Sequence, residues 1–416
     1  MNFYLKKYGF RSPFIIDSPH PNLGIVVVIP CFDEDLLIDA LSTLKQSKQP
    51  VAAVEVIVVI NSGEHHPEAL KAKNRETYEA CLLWSKENSS EQLTFYVLLE
   101  ENLPKKHAGV GLARKIGMDE AVNRFETIER DGVIVCFDAD ALCAENYLFE
   151  IEKHFKLNPN SPGCSIHYEH PIHGTDFPEE IYTGIINYEL HLRYYNCGLK
   201  FAGLPYAFHT VGSSMAVRSS AYQKQGGMNK RKAGEDFYFI HKIIALGNFT
   251  ELKATRVIPS PRISDRVPFG TGKAIGDWVT RESKTFFTYN FQGFVIIKAF
   301  VGVIPKLFKQ NLVEIELKVN DEGLSLLHSF LKEQSFEKAL LEIRANSKTS
   351  AAFIKRFYTW FDAFKVLKLM HYLRDNGLNN EELSAAVNQL TAAYGFDAIF
   401  DSINEQLHFY RTFELK

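Results

Sequence analysis

Four runs of apolar, mostly β-branched residues mark the first third of the chain: "GIVVVIP" (24–30), "VEVIVVI" (54–60), "TFYVLLE" (94–100) and "GVIVCFD" (132–138). Between them lie longer stretches whose apolar residues recur at helical spacing. Strands that are apolar on both faces and alternate with helices predict an α/β domain with a mostly parallel sheet covered on both sides. In such sheets ligands sit at the carboxyl ends of the strands. The polar residues gather there: Asp33 and Glu34 after the first run, Asn61 and Ser62 after the second, Asp138 and Asp140 after the fourth.

Past Asp140 the helical period resumes from Glu145. A loop-rich stretch, "NPNSPGCSIHYEHPIHGTDFPEE", leads to a tyrosine-rich helix, "EEIYTGIINYELHLRYYN". A further apolar run, "TVGSSMAVR", precedes "GGMNKRKAGEDFYFIHKIIALG", in which Gly234 punctuates the start of a helix carrying Glu235 and Asp236. From about Asp277 onward only helical patterns occur. The expected organisation is therefore a domain over 1–276 and a helical C-terminal region over 277–416.

No segment reaches the ~18 to 20 uninterrupted apolar residues of a membrane span, and the start has no apolar run long enough for a signal peptide. "FVIIKAFVGVIP" (294–305) carries Lys298 and reads as a buried helix, with a membrane-surface helix as the alternative. A hydrophobic content of 46% over 416 residues supports a large core. The net charge of -3 excludes a dedicated duplex-DNA binder, so no nucleic acid is expected as a partner. Six cysteines (31, 81, 136, 143, 164, 197) show no CxxC spacing, which points to packed, reduced thiols in a cytoplasmic chain, with the inner membrane face as a second location.

On a strand, residues i and i+2 face the same side, so Asp138 and Asp140 present both carboxylates to one object if the strand persists. Two such anions repel, and a hard divalent cation, Mn2+ or Mg2+, completed by waters and substrate phosphates, relieves the repulsion. The plain alternative is a strand-end turn in which Asp140 caps the next segment.

The ordered set of motifs decides between these. "VVIPCFDEDLLIDALSTL", "VEVIVVINSG", "HAGVGLARKIGMDEA", "VIVCFDADALCAENYL", "TVGSSMAVRSSAYQKQGGM" and "GEDFYFIHKIIALG", spanning Gly24 to Gly247, resemble in order the elements of family 2 glycosyltransferases with the GT-A fold. The resemblance implies a sugar transferase using a nucleotide-diphosphate sugar, with a UDP-sugar favoured, and an unidentified acceptor. By that similarity Asp140 coordinates the cation that bridges the diphosphate, while Asp138 contacts the ribose or shares the metal. Pro30, Phe32, Asp33, Glu34 and Asn61 line the nucleoside, and Lys106 and Arg114 approach the base or the phosphates. Asp236, beside Glu235, takes the position of the family's general base, which implies an inverting reaction; a retaining transferase on the same fold and a non-catalytic nucleotide-binding scaffold are the alternatives.

The chain departs from the family pattern in three places. Asn61 stands where many members have an aspartate, and no histidine occurs between His241 and His328 to serve as a further metal ligand. Arg256, Arg262, Arg266 and Lys273 fit the role of neutralising the diphosphate from a loop that Gly270 and Gly272 let close, although a solvated loop explains them too. Third, "CFDED" carries Asp33 in place of an asparagine. Among "HYEHPIH", His167, His170 and His173 are spaced by three, but Pro171 opposes a helical zinc site; Glu169, His170, His209 and Ser213 are assigned to the acceptor pocket instead. The pattern chooses neither an oligomeric state nor between an acceptor platform, an oligomer surface and a peripheral membrane contact for the C-terminal helices. A nicotinamide oxidoreductase is excluded, because no Gly-x-Gly-x-x-Gly follows the first strand.

Overall fold

The computed structural model describes residues 2–416. The chain divides into two compact units, one of residues 1–182 with 208–276, the other of residues 183–207 with 277–416.

The first unit is built on an eight-stranded sheet. Its strands are β1 (Leu23–Cys31), β2 (Ala53–Gly63), β3 (Leu93–Leu103), β4 (Val133–Cys136), β5 (Leu142–Cys143), β6 (Gly163–Tyr168), β7 (Met215–Arg218) and β8 (Thr250–Ile258), in the order β3-β2-β1-β4-β7-β6-β8-β5. The pairs β1/β2, β2/β3, β1/β4 and β6/β8 are parallel. Only β7 and β5 run against their neighbours. Every residue of β2 and all but one of β1 are buried, as expected for strands covered on both faces.

Three strands escape the hydrophobic pattern. β6 lies inside the stretch that reads as loop, β8 alternates buried and exposed positions between polar residues, and β5 is two residues long. Such segments are too short or too polar to signal themselves.

From β1 the chain moves outward through β2 and β3, then returns to place β4 on the other side of β1. The topological switch point therefore lies between β1 and β4. Pro30 helps to open it. The Val28 carbonyl accepts from the Phe137 N–H (3.1 Å), so alternation turns Pro30 toward β4 as well, past the last rung at Val28 and Cys136. A residue without an N–H costs nothing where the ladder has already ended.

The helix Val110–Thr127 packs across β1 and β2, burying Leu112, Ala113, Ile116 and Val122 in the same core as Val26, Val28, Ile57 and Val59. Its first two turns stand beside the strand ends. The acidic helix Glu235–Ile244 buries Phe239, Ile240 and Ile243 in that core too, so both helices are anchored by apolar faces while their starts carry charge.

The second unit is helical apart from a two-rung antiparallel ladder joining Phe287–Thr288 to Glu381–Glu382. The helix Phe291–Val303 buries Phe294, Ile297 and Phe300, and Phe300 meets Phe361 edge-on at 5.2 Å, so "FVIIKAFVGV" is core. Among the described residues no helix is long and apolar enough to cross a membrane. The last helix, Ile403–Leu415, is tied down by a buried quartet in which Arg193 pairs with Glu189 (2.8 Å) and Glu414, and Arg411 pairs with Glu189 (2.7 Å). All six cysteines of the chain are free and buried.

Candidate functional site

The deepest charge at the switch point is Arg114, in the second turn of Val110–Thr127 and only 1% exposed. An isolated guanidinium at that depth would cost several kcal/mol, so it needs carboxylate partners. It has them: its two terminal nitrogens donate to Asp138 Oδ1 and Glu235 Oε1. Burial opposes its charge, but Asp138, Glu235 and Asp236 together hold it above the ordinary guanidinium value. The same burial lifts the Glu235 carboxyl to about 7 against the pull of Arg114. Asp138 and Asp236 are likewise pushed up by desolvation and drawn back by Arg114. One guanidinium thus fixes the end of β4 to the start of the acidic helix.

Two glycines make this convergence sterically feasible. A Cβ on Gly212 would stand 3.0 Å from both terminal nitrogens of Arg114 and 3.1 Å from Asp236 Oδ2. A Cβ on Gly111 would come within 2.2 Å of the Arg231 carbonyl oxygen, forcing the segment before Glu235 outward. Neither is apparent as a site residue from the sequence, although both lie inside motifs that stand out there.

A second ionic cluster lies at the ends of β1 and β4. Arg262 Nη2 is 2.5 Å from Glu34 Oε2 and 2.7 Å from Asp140 Oδ2, so one guanidinium bridges the two carboxylates. Arg266 adds an ion pair to Glu34 (2.8 Å) and donates to the Phe32 carbonyl (2.5 Å). Glu34 is 5% exposed; burial and the neighbouring Asp140 raise its carboxyl, while Arg262 lowers it. Two of the four basic residues read as a closing loop therefore lie over the acidic strand ends. Arg256 turns elsewhere, to Glu169 (2.6 Å).

Toward β2 the site becomes polar and neutral. Asn74, which the sequence does not single out, accepts from the Asp33 N–H (3.1 Å) and donates to the Asn61 carbonyl (3.0 Å), tying the ends of β1 and β2 together. Asn61 is buried, and Asp33, with φ +49°, pairs with Lys73 at 2.7 Å. Lys106 is exposed in the turn before Val110–Thr127. Of the acceptor candidates, His170 and His209 both meet Tyr168 edge-on (5.6 and 5.1 Å), and Glu169 lies 3.0 Å from His167. Ser213 is buried, 3.5 Å from the Ser214 hydroxyl.

Among the described residues no three His, Cys, Asp or Glu side chains form a group arranged to hold a metal. Mg2+ and Mn2+ do not require one, since they are held by one or two carboxylates plus substrate phosphates. Asp140 already holds a cationic group in common with Glu34, and the Asp138 side chain, 36% exposed, stands two residues before it, so these carboxylates fit a divalent ion.

A mixed, mostly parallel sheet with carboxylates at its switch point and a helical C-terminal region is the arrangement that the resemblance of the sequence motifs to GT-A glycosyltransferases implies. Residues 133–332 match the family model described as Glycosyl transferase family group 2. No curated protein matches the chain. Its structural neighbours include S. aureus TarS 1-349 in complex with UDP-GlcNAc, at 12% identity and a TM-score of 0.38, covering 91% of this chain and 94% of that one. They also include the mannosyltransferase PcManGT from Pyrobaculum calidifontis in complex with GDP-Man and Mn2+, at 14% identity and a TM-score of 0.34, covering 99% and 91%.

Proposed function

We propose that the protein transfers a sugar from a nucleoside-diphosphate sugar, a UDP-sugar by preference, to an acceptor hydroxyl, with inversion and with a divalent cation. The observation that carries this reading is the convergence of Glu34, Asp138, Asp140, Glu235 and Asp236 on three guanidinium groups at the switch point. That arrangement suits a ligand bearing a polyanionic leaving group and an attacking hydroxyl.

Asp140, with Asp138 alongside, would hold Mn2+ or Mg2+, which supplies charge neutralisation for the departing diphosphate. Arg262 and Arg266 exchange their ion pairs with Glu34 for contacts to the diphosphate oxygens. Asp236 accepts the proton of the acceptor hydroxyl as that oxygen attacks the anomeric carbon and the carbon–phosphate-oxygen bond breaks. Its partial burial and raised carboxyl make it a better base than a solvated aspartate. Arg114, the more deeply buried partner, keeps Glu235 and Asp138 in place. Glu169, His170 and His209 are assigned to the acceptor side.

Release of nucleoside diphosphate from sugar nucleotides tests this reading. Asp236→Asn and Asp140→Ala are each expected to lose ~100-fold or more in turnover. Wild-type turnover in both variants would remove its basis.

A further inference from the structure

His65 and His66 follow β2 and take no part in the chemistry above. His66 sits at the nucleoside end of the crevice. β1 and β2 are parallel, with Cys31 level with Ile60, so Phe32 and the residues after Gly63 meet at one edge. The Phe32 and His66 rings lie 4.8 Å apart, tilted by 41°. This is the opposite flank of β1 from Asp138 and Asp140. A nucleotide whose phosphates lie at β4 carries its base toward β2.

The imidazole is held in one tautomer. Gly63 N–H donates to His66 Nδ1 at 3.0 Å, so the neutral ring carries its proton on Nε2. Among the described residues nothing accepts from that Nε2–H, and the side chain is half-buried rather than freely solvated. Desolvation, then His65, Lys232 and Lys71, disfavour a second proton, so the ring stays neutral at physiological pH. The edge thus offers one aromatic face, Phe32, and one fixed donor. Stacking on an aromatic ring is indifferent to the base, whereas a single donor is not.

We propose that His66 reads the base of the sugar nucleotide, its Nε2–H selecting a carbonyl at position 4 of a pyrimidine or position 6 of a purine, as in uracil and guanine, over the amine that cytosine and adenine carry at those positions. An amine there would set donor against donor and leave both without a partner. The inference rests on the transferase reading and names the nucleotide class it uses.

Calorimetry with UDP, GDP, CDP and ADP in the presence of Mn2+ tests it. The wild type is expected to bind UDP or GDP about tenfold or more tighter than CDP and ADP. His66→Ala is expected to bring the UDP-to-CDP ratio close to one with little change in Tm. His66→Gln, which retains an N–H donor, is expected to keep part of the preference and covers the case in which the alanine variant is unstable. Equal binding of UDP and CDP by the wild type, or an unchanged ratio in both variants, overturns the role of His66 alone. Failure of all four nucleotides to bind overturns the transferase reading itself.

Discussion

Two buried ionic networks, one in each unit, are built from the same residue types to opposite effect. In the second unit Glu189 and Glu414 face Arg193 and Arg411, two charges against two, all buried. At the switch point of the first unit five carboxylates face the guanidinium groups of Arg114, Arg262 and Arg266. In the first arrangement both carboxylates have a guanidinium partner. The second carries an excess of negative charge, some of it open to water, since the Asp138 side chain is 36% exposed. Excess charge in a cleft raises carboxyl pKa values and draws in a cation or a cationic assembly. A matched quartet fixes a helix.

The contrast can be broken one guanidinium at a time. The largest expected effect on stability is at Arg193. Arg193→Met strips Glu189, which has no exposure, and Glu414, which is 6% exposed, of a partner, and a loss of about 3 to 5 kcal/mol follows from removing one side of a buried ion pair. Arg114→Met is expected to cost less stability, because water can reach Asp138, but to reduce turnover sharply. Thermal unfolding and nucleoside diphosphate release on both variants check the pair. Equal effects of the two substitutions on turnover would erase the distinction.

A smaller, pH-dependent effect separates them further. Folded Glu235 keeps its proton up to about pH 7, whereas the ordinary value for the side chain is 4.5. Between those values the folded state binds more protons than the unfolded chain, so this group makes stability fall as pH rises through the window. Glu235→Gln is expected to flatten the decline in Tm from about pH 5 to pH 7. An unchanged slope would show that Glu235 is not held protonated.

The sequence made the central strands legible, because β1 to β4 each hold an uninterrupted apolar run and the residues that follow these runs change to Asp, Glu and Asn. It also exposed the carboxylates of the site, since acidic residues at apolar strand ends stand out. It could not show their partners. Arg262 reaches Glu34 across 228 positions, and Arg114 reaches Glu235 across 121, pairings that exist only once the sheet order is set. Arg114, expected near the base or the phosphates, is 1% exposed and spends both terminal nitrogens on Asp138 and Glu235, partners that the sequence does not reveal. Gly111, Gly212, Asn74 and His66 stayed hidden for a related reason: their roles are close approach and backbone hydrogen bonding, which leave no mark in composition or period. The tyrosine-rich helix Glu179–Phe201 carries no break at residue 183, where its membership passes to the second unit.

The central claim is that the crevice between β1 and β4 is short of positive charge until a divalent cation arrives, and that the cation then admits a nucleoside diphosphate. The most direct measurement is the affinity of UDP with and without Mn2+, in the wild type and in Asp140→Ala. The account predicts that Mn2+ tightens UDP binding in the wild type by about tenfold or more, and that Asp140→Ala removes this gain. UDP binding that is indifferent to Mn2+, or a gain that survives intact in Asp140→Ala, would contradict it.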